Sequence, residues 1–305
     1  MNPFRRISDL IDPADGMLKD SDYPEDMCRN EAYLDRNPFK QFVNVYRTQL
    51  KLYSKDITTL GLYAFILAIP ILAISKVLDG FVFDRYLRII GDTGETYSAL
   101  CLGLLTLMMV LVASIVCGNI LPNEFRSRTA YLNLPFPQSR STFYFGKFLA
   151  GLTVVLSIVI AAFAMVIFVS TWAYGSVSMT AMTQALVIAL AGTFACCSTA
   201  YGLSAFLSRS STMMPFIVMF MILPMVGLLL ADIESVSGIV GYLPCFSGDV
   251  ALTRLGSTYS VSISYLFSGA ELFLSCKPMI SVAVSLAWGI VFLIVGFNRI
   301  VRREM

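Results

Sequence analysis

The sequence is poor in charge and contains no histidine. Charged residues make up 14% of its 305 residues, whereas soluble domains carry roughly 25%, and 57% of the chain is hydrophobic. These values predict an all-α integral membrane protein. Without histidine the chain lacks the commonest general base and the commonest transition-metal ligand, so neither a catalytic nor a metal site is expected. The net charge of +2 is too small to suggest nucleic-acid binding.

Two further absences concern energy. The sequence has no G-x-x-x-x-G-K-[ST] motif, so no ATP-binding phosphate loop is expected on this chain. No Asp, Glu, Lys or Arg lies in the core of an apolar run, whereas ion-coupled transporters usually need such residues. The pattern therefore predicts an energy source outside the chain. A secondary transporter or channel, a non-transporting scaffold for a cytoplasmic ATPase, and an intramembrane enzyme stay open as less favoured alternatives.

Apolar runs long enough to cross a bilayer, about 20 residues each, predict six spans. An uncharged run of 61 residues, 148–208, is expected to hold two of them, with a break near Trp172–Thr180, where aromatic and small polar residues mark an interface. The predicted spans are Ile57–Ser75, Ala99–Ile120, the two halves of 148–208, Ser210–Ala231 and Pro278–Asn298. The first 35 residues show no signal-peptide pattern, so the first span is expected to act as its own insertion signal.

The distribution of basic residues predicts the orientation of these spans. With both termini inside the cell, inner segments hold 17 of the 22 Lys and Arg residues, as the positive-inside rule requires. The prediction is a multi-pass protein of the plasma membrane with cytoplasmic termini. Residues 1–36 would form a cytoplasmic tail, 57–298 the six-span domain, and 299–305 a cytoplasmic carboxyl terminus.

A basic amphipathic helix is predicted just before the first span, within residues 37–56. Asn37 can cap it and Pro38 suits its first position. Aromatic residues follow one helical stripe and basic residues the opposite side, a pattern typical of a helix lying in the membrane interface near anionic lipid. A helix packed on a partner is the alternative, and both can hold. The residues expected to define it are Phe39, Phe42, Tyr46, Arg47 and Lys51.

The loop between spans five and six, 232–277, is predicted to face outside. Its apolar piece Ser235–Phe246 is too short to span and reads as re-entrant or interfacial. Cys245 and Cys276 lie in this loop and could form a disulfide in an oxidising exterior.

Two spans carry residues suited to close packing or to a path. Gly192 and Ala200 belong to a four-residue repeat of small side chains in span four, which permits close helix approach. Packing within one subunit is the favoured interpretation and a dimer interface the alternative. Phe216, Met219 and Phe220 in span five are bulky and adaptable. Residues of this kind usually face lipid or core, but they could line a path for a hydrophobic cargo.

Residues 123–147, hereafter the charged loop, separate spans two and three. A turn of this length is far beyond the roughly two to eight residues typical between bundle helices. Tyr131, Leu132, Leu134 and Phe136 are apolar and lie between arginines. This mixture is typical of a surface that docks onto another protein, where apolar side chains fill a groove and charges set the orientation.

The charged loop resembles that of the permease subunits of type-2 ABC exporters, the ABC-2 superfamily. Their pattern is a Glu, then Gly-Thr, a Leu-rich stretch, Pro-x-Ser-Arg, and Gly-Lys six residues after that Arg. The sequence matches it at Glu124, Thr129, Leu132, Leu134, Pro137, Ser139, Arg140, Gly146 and Lys147, and departs from it at Arg128, where Gly is usual, and at the added Pro135. The six spans, the amphipathic helix and the re-entrant pieces also agree with this family over residues 37–300.

The resemblance implies a function and its partners. Two permeases would pair, either two copies or a copy and a paralogue, and each would dock a separate ATPase subunit that holds ATP and Mg. The charged loop would couple ATP hydrolysis to export. The coupling residues implied are Glu124, Arg126, Arg128, Thr129, Leu134, Pro137, Arg140 and Lys147.

Overall fold

The computed structural model describes residues 38–74, 94–126, 140–174, 178–206 and 278–302, together with five positions between 217 and 226. Seven helices account for the long described segments. They are α1 (Pro38–Lys55), α2 (Ile57–Ile74), α3 (Gly94–Gly118), α4 (Ile120–Arg126), α5 (Arg140–Tyr174), α6 (Met179–Ser204) and α7 (Pro278–Val301). The described elements are thus all helical, as composition predicts.

Three helices in the described part of the chain, α5, α6 and α7, are long and apolar enough to cross a membrane. A fourth span results if α1 and α2, which meet at a bend of 67°, are taken as one broken span. The predicted break within 148–208 is confirmed, because α5 ends at Tyr174 and α6 begins at Met179. Most of the fifth predicted span, the tail 1–36 and the loop 232–277 lie outside the described residues, so the prediction of six spans remains untested.

Helix α5 lies at the centre of the bundle. It packs against α1, α2, α3 and α6 along its length, and α6 in turn packs against α3 and α7. Leu105 of α3 together with Val155 and Phe163 of α5 are fully buried in the core between these helices. Because lipid tails are as apolar as these side chains, the helices are held by close van der Waals packing rather than by exclusion of water.

Glycines bring α6 and α7 into backbone contact. A Cβ added at Gly202 would lie 2.5 Å from the carbonyl oxygen of Phe292, and one at Gly296 would lie 2.8 Å from the Cα of Gly202. At Gly289 an added Cβ would meet the ring of Phe194 at 2.5 Å. The α6–α7 spacing therefore depends on hydrogen-only side chains at Gly202 and Gly296.

The bend between α1 and α2 is fixed by Asp56. Its carboxylate accepts a hydrogen bond from the Thr58 backbone N–H at 3.2 Å and bonds from the Thr58 and Thr59 hydroxyls, so it caps the start of α2. The hydroxyl of Thr58 is the main reason that the pKa of Asp56 lies below its ordinary value, since it stabilises the charged carboxylate. The cap ends the basic helix where the apolar helix begins.

Candidate functional site

The charged loop is helical at both of its ends. Helix α3 stops at Gly118, Asn119 forms a turn, and α4 carries the chain on to Arg126. On the far side, α5 begins at Arg140, eight residues before the predicted third span. The loop therefore leaves and rejoins the bundle through two helices, and the residues between 126 and 140 lie outside the described part of the chain.

An ion pair joins these two helices. The ammonium of Lys147 in α5 pairs with the carboxylate of Glu124 in α4, and it lies 4.4 Å from the centre of the Phe143 ring, within cation–π range. Lys147 is only 5% exposed, and the Glu124 side chain is 17% exposed. A cation this buried must be paired, so the ion pair specifies how α4 sits against α5.

Arg140, the first residue of α5, ties the loop to the end of α7. Its guanidinium donates a hydrogen bond of 2.7 Å to the carbonyl oxygen of Val301. One turn further along, the Tyr144 hydroxyl donates to the Leu293 carbonyl of α7 at 3.2 Å. The Tyr201 hydroxyl of α6 donates to the Tyr144 carbonyl at 2.8 Å. The start of α5 is thus bonded to both α6 and α7.

Helix α1 packs on the same part of α5. A Cβ added at Gly146 would lie 3.1 Å from Val45 of α1, so this glycine allows the close approach. Further along α1, the Tyr46 hydroxyl donates to Thr153 of α5 at 3.3 Å. The buried Tyr53 hydroxyl donates to the Val116 carbonyl of α3 at 3.2 Å. Six helices, α1, α3, α4, α5, α6 and α7, therefore meet at the base of the charged loop, a region we call the base.

The burial of α1 differs in part from the predicted stripe. Phe42 and Tyr46 are half-buried against the bundle, whereas Phe39 is 70% exposed. Arg47 and Lys51 are exposed, as a basic solvent or lipid face requires. Gln41 and Gln49, polar residues outside the predicted stripe, are buried. One face of α1 is thus packed on its own chain, and contact of the other face with lipid stays a prediction.

The remaining predicted site residues divide into two groups. Gly192 and Ala200 are buried within this one chain, as packing inside a subunit would place them, and a contact between two copies stays a prediction. The second group lies outside the described residues, so its predicted roles are untested: Arg128, Thr129, Leu134, Pro137, Phe216, Met219, Phe220, Cys245 and Cys276. Arg126 is the last residue of α4.

Sequence reasoning missed Tyr53 and Tyr144 as parts of the base. Tyr53 was visible only as one more apolar position of α1, and Tyr144 as one more aromatic residue before a span. Both carry a hydroxyl that would be costly to bury without an acceptor, which is the only sequence signal that could have singled them out. Among the described residues no group of three or more His, Cys, Asp or Glu side chains could hold a metal ion.

Comparison with known proteins agrees with this architecture. A family model described as ABC-2 family transporter protein matches residues 20–305, which include every described helix and the charged loop. No curated protein matches the chain. Since the match runs over nearly the whole sequence, the chain belongs to the ABC-2 family of transporter proteins, as a membrane-spanning permease component.

Proposed function

We propose that the chain is the membrane-spanning subunit of an ATP-driven exporter and that its charged loop docks a separate ATPase subunit on the cytoplasmic side. In this proposal ATP and Mg bind the ATPase, and a second copy or a paralogous permease completes the translocation path. Membership of the ABC-2 family supports a permease that works with a partner ATPase. Export, the pairing of permeases and the role of the charged loop are proposed in addition to what family membership supports.

The observation that carries the proposal is the closed base of the charged loop. A loop that only connected two spans would need no buried ion pair at its root. Here the Glu124–Lys147 pair joins the two helices at the ends of the loop, and Arg140, at the start of α5, is hydrogen-bonded to the end of α7. Because packed helices move as units rather than bend continuously, a displacement of the loop would move the helices that meet at the base.

The chemistry of the loop tip suits a protein partner. Arg126 and Arg128 on one side and Arg140 on the other flank the apolar residues Leu132, Leu134 and Phe136. Apolar anchors with a charged rim are typical of a specific protein contact. ATP binding can do work through this contact only if the two conformations of the ATPase bind the loop with different affinity. The base provides a stiff connection through which this difference in affinity can move the membrane helices.

The test is site-specific photo-crosslinking in intact cells. A photoreactive amino acid is placed at Leu134 in the loop or, as the control, at Met279, which is 82% exposed at the end of α7 opposite to Val301. We expect the Leu134 probe to capture a protein that hydrolyses ATP, and the Met279 probe to capture none. The captured ATPase should also show reduced activity with the variant Leu134→Asp. Capture of the same proteins from both positions, or none from Leu134, would contradict the proposal.

A further inference from the structure

The second predicted span is interrupted next to the base. Gly118 ends α3 and Asn119 forms the turn before α4. Pro122 has no N–H to donate to the Gly118 carbonyl, which removes one helical hydrogen bond across the interruption. The side-chain oxygen of Asn119 is also buried without a hydrogen-bond partner among the described residues. The helix therefore lacks at least one backbone hydrogen bond between Gly118 and Pro122, and we call these residues the break.

The break lies on the route by which the charged loop would move α3. Force applied to the loop enters through α4, which the Glu124–Lys147 pair holds to α5. If the break bent freely, α4 could move while α3 stayed in place. A route that reaches α3 needs a contact on the far side of the break.

Two contacts lie there. Helix α5 packs directly on α3, and a Cβ added at Gly151 would lie 3.3 Å from the sulfur of Cys117. Tyr53 adds a directed hydrogen bond. Its hydroxyl donates to the carbonyl oxygen of Val116 at 3.2 Å, two residues before Gly118 and so on the α3 side of the break. Helix α1 packs in turn on α5 at Gly146. Helix α4 is thus held by Lys147, and α3 is held beyond the break both by its packing on α5 and by the hydrogen bond from Tyr53.

We propose that Tyr53 is a positioning residue for coupling: its hydrogen bond to Val116 adds to the packing of α5 on α3 and makes α3 follow the base despite the break. This inference rests on the proposed function, because it presumes that an ATPase moves the charged loop. It adds a route through α1 and α5 that bypasses the weakened helix. Tyr53 itself contacts neither nucleotide nor partner in this account.

The experiment measures hydrogen–deuterium exchange on the complex of this chain with its ATPase in nanodiscs, with and without vanadate-trapped ADP. Peptides from α4 report arrival of the movement, and peptides covering Met108–Val116 of α3 report its transmission. In the wild type we expect trapping to change exchange in both. In Tyr53→Phe the change in α4 should persist, while the change in α3 should fall at least threefold. Since the ring remains and only the hydroxyl is lost, such a fall would report the hydrogen bond alone.

The matched control is Tyr63→Phe. The Tyr63 hydroxyl also donates to a backbone carbonyl, that of Val154 in α5, at 3.4 Å, but it lies away from the break. This variant should leave the α3 response intact. A second variant tests the mechanism: Tyr53→Phe combined with Pro122→Ala restores an N–H opposite the Gly118 carbonyl, stiffens the break and should recover at least half of the lost α3 response.

The outcomes separate the two proposals. An unchanged α3 response in Tyr53→Phe, an equal loss in Tyr63→Phe, or no recovery in the double variant would overturn the role of Tyr53 and leave the proposed function standing. No nucleotide-dependent change in α4 of the wild type would overturn the proposed function and this inference with it.

Discussion

Replacing Gly202 by alanine should destabilise the protein sharply, whereas most single methyl additions in a helix do not. The new Cβ would lie 2.5 Å from the carbonyl oxygen of Phe292, and real Cβ atoms essentially never approach closer than 3.0 Å. The obstructing atom belongs to the backbone, so no rotamer change relieves the contact. The two helices must separate, and contacts along the α6–α7 interface are lost.

The magnitude follows from the cost of overpacking, typically about 1–3 kcal/mol. A clash with backbone belongs in the upper part of that range, about 2–3 kcal/mol. For a chain somewhat larger than the 150–250 residues for which roughly 2–4 °C per kcal/mol holds, the melting temperature should fall by about 4–10 °C. Thermal unfolding of the detergent-solubilised protein, followed by loss of the monodisperse peak in size exclusion, measures this shift.

A graded series makes the reasoning testable. Gly289→Ala meets only the ring of Phe194, which can rotate, so its cost should be smaller. Gly61→Ala has nothing within 4 Å and should be neutral or slightly stabilising, since alanine favours a helix over glycine by roughly 1 kcal/mol. If Gly202→Ala melted within 2 °C of the wild type while Gly61→Ala did not differ from it either, the α6–α7 contact described above would be wrong.

Three further predictions concern other parts of the chain. Lys147→Met should lower the free energy of unfolding by about 2–3 kcal/mol. This is somewhat less than the roughly 3–5 kcal/mol lost when one partner of a fully buried pair is removed, because Glu124 keeps 17% exposure. In a double-mutant cycle followed by melting, Lys147→Met with Glu124→Leu should recover most of this loss, and purely additive effects would contradict the pair. The pKa of Asp56 is lowered in the folded state, so its stabilising contribution is present above its ordinary pKa of 3.8 and is lost as the pH falls through the folded-state value. The difference in melting temperature between the wild type and Asp56→Asn should therefore be constant from pH 5 to 8 and shrink only below about pH 4. A difference that shrank already near pH 6 would contradict this. Cys101, Cys117, Cys196 and Cys197 are buried, so peptide mapping after maleimide treatment should find them labelled only in the denatured protein. Non-reducing mapping tests the predicted Cys245–Cys276 bond.

Hydropathy and turn chemistry predicted the limits of several helices well. The amphipathic helix runs from Pro38 to Lys55, as the residue pattern indicates, and Asp56 ends it at the predicted start of the first span. The break near Trp172–Thr180 was also correctly placed, because a change from apolar to small polar residues is a local signal. Such boundaries are written into the sequence within a few residues.

Features that depend on distant partners could not be predicted in this way. The turn at Asn119 lies in an uncharged run, where hydropathy does not distinguish a bent helix from a straight one, and Pro is tolerated in membrane helices. Helix α5 begins before its apolar run, and in this extension Lys147 pairs with Glu124, which lies 23 positions away. A partner at that separation leaves no local signal in the sequence. Helix α6 carries small residues on two faces, one with Gly192 and Ala200 and another with Gly202. Only the packing shows that the face with Gly202 contacts α7.

The base and the α6–α7 contact are connected through Tyr144. A Cβ added at Gly296 would lie 2.5 Å from the Tyr144 hydroxyl, the same group that donates to Leu293, and the turn that carries Tyr144 lies between Arg140 and Lys147. Gly296→Ala should therefore both loosen α7 and disturb the start of α5, whereas Gly202→Ala acts on the Phe292 backbone. If the charged loop couples to an ATPase as proposed, Gly296→Ala should lower the stimulation of that ATPase more than Gly202→Ala does at matched thermal stability. Equal losses at matched stability would mean that Tyr144 stabilises the bundle without connecting its two halves.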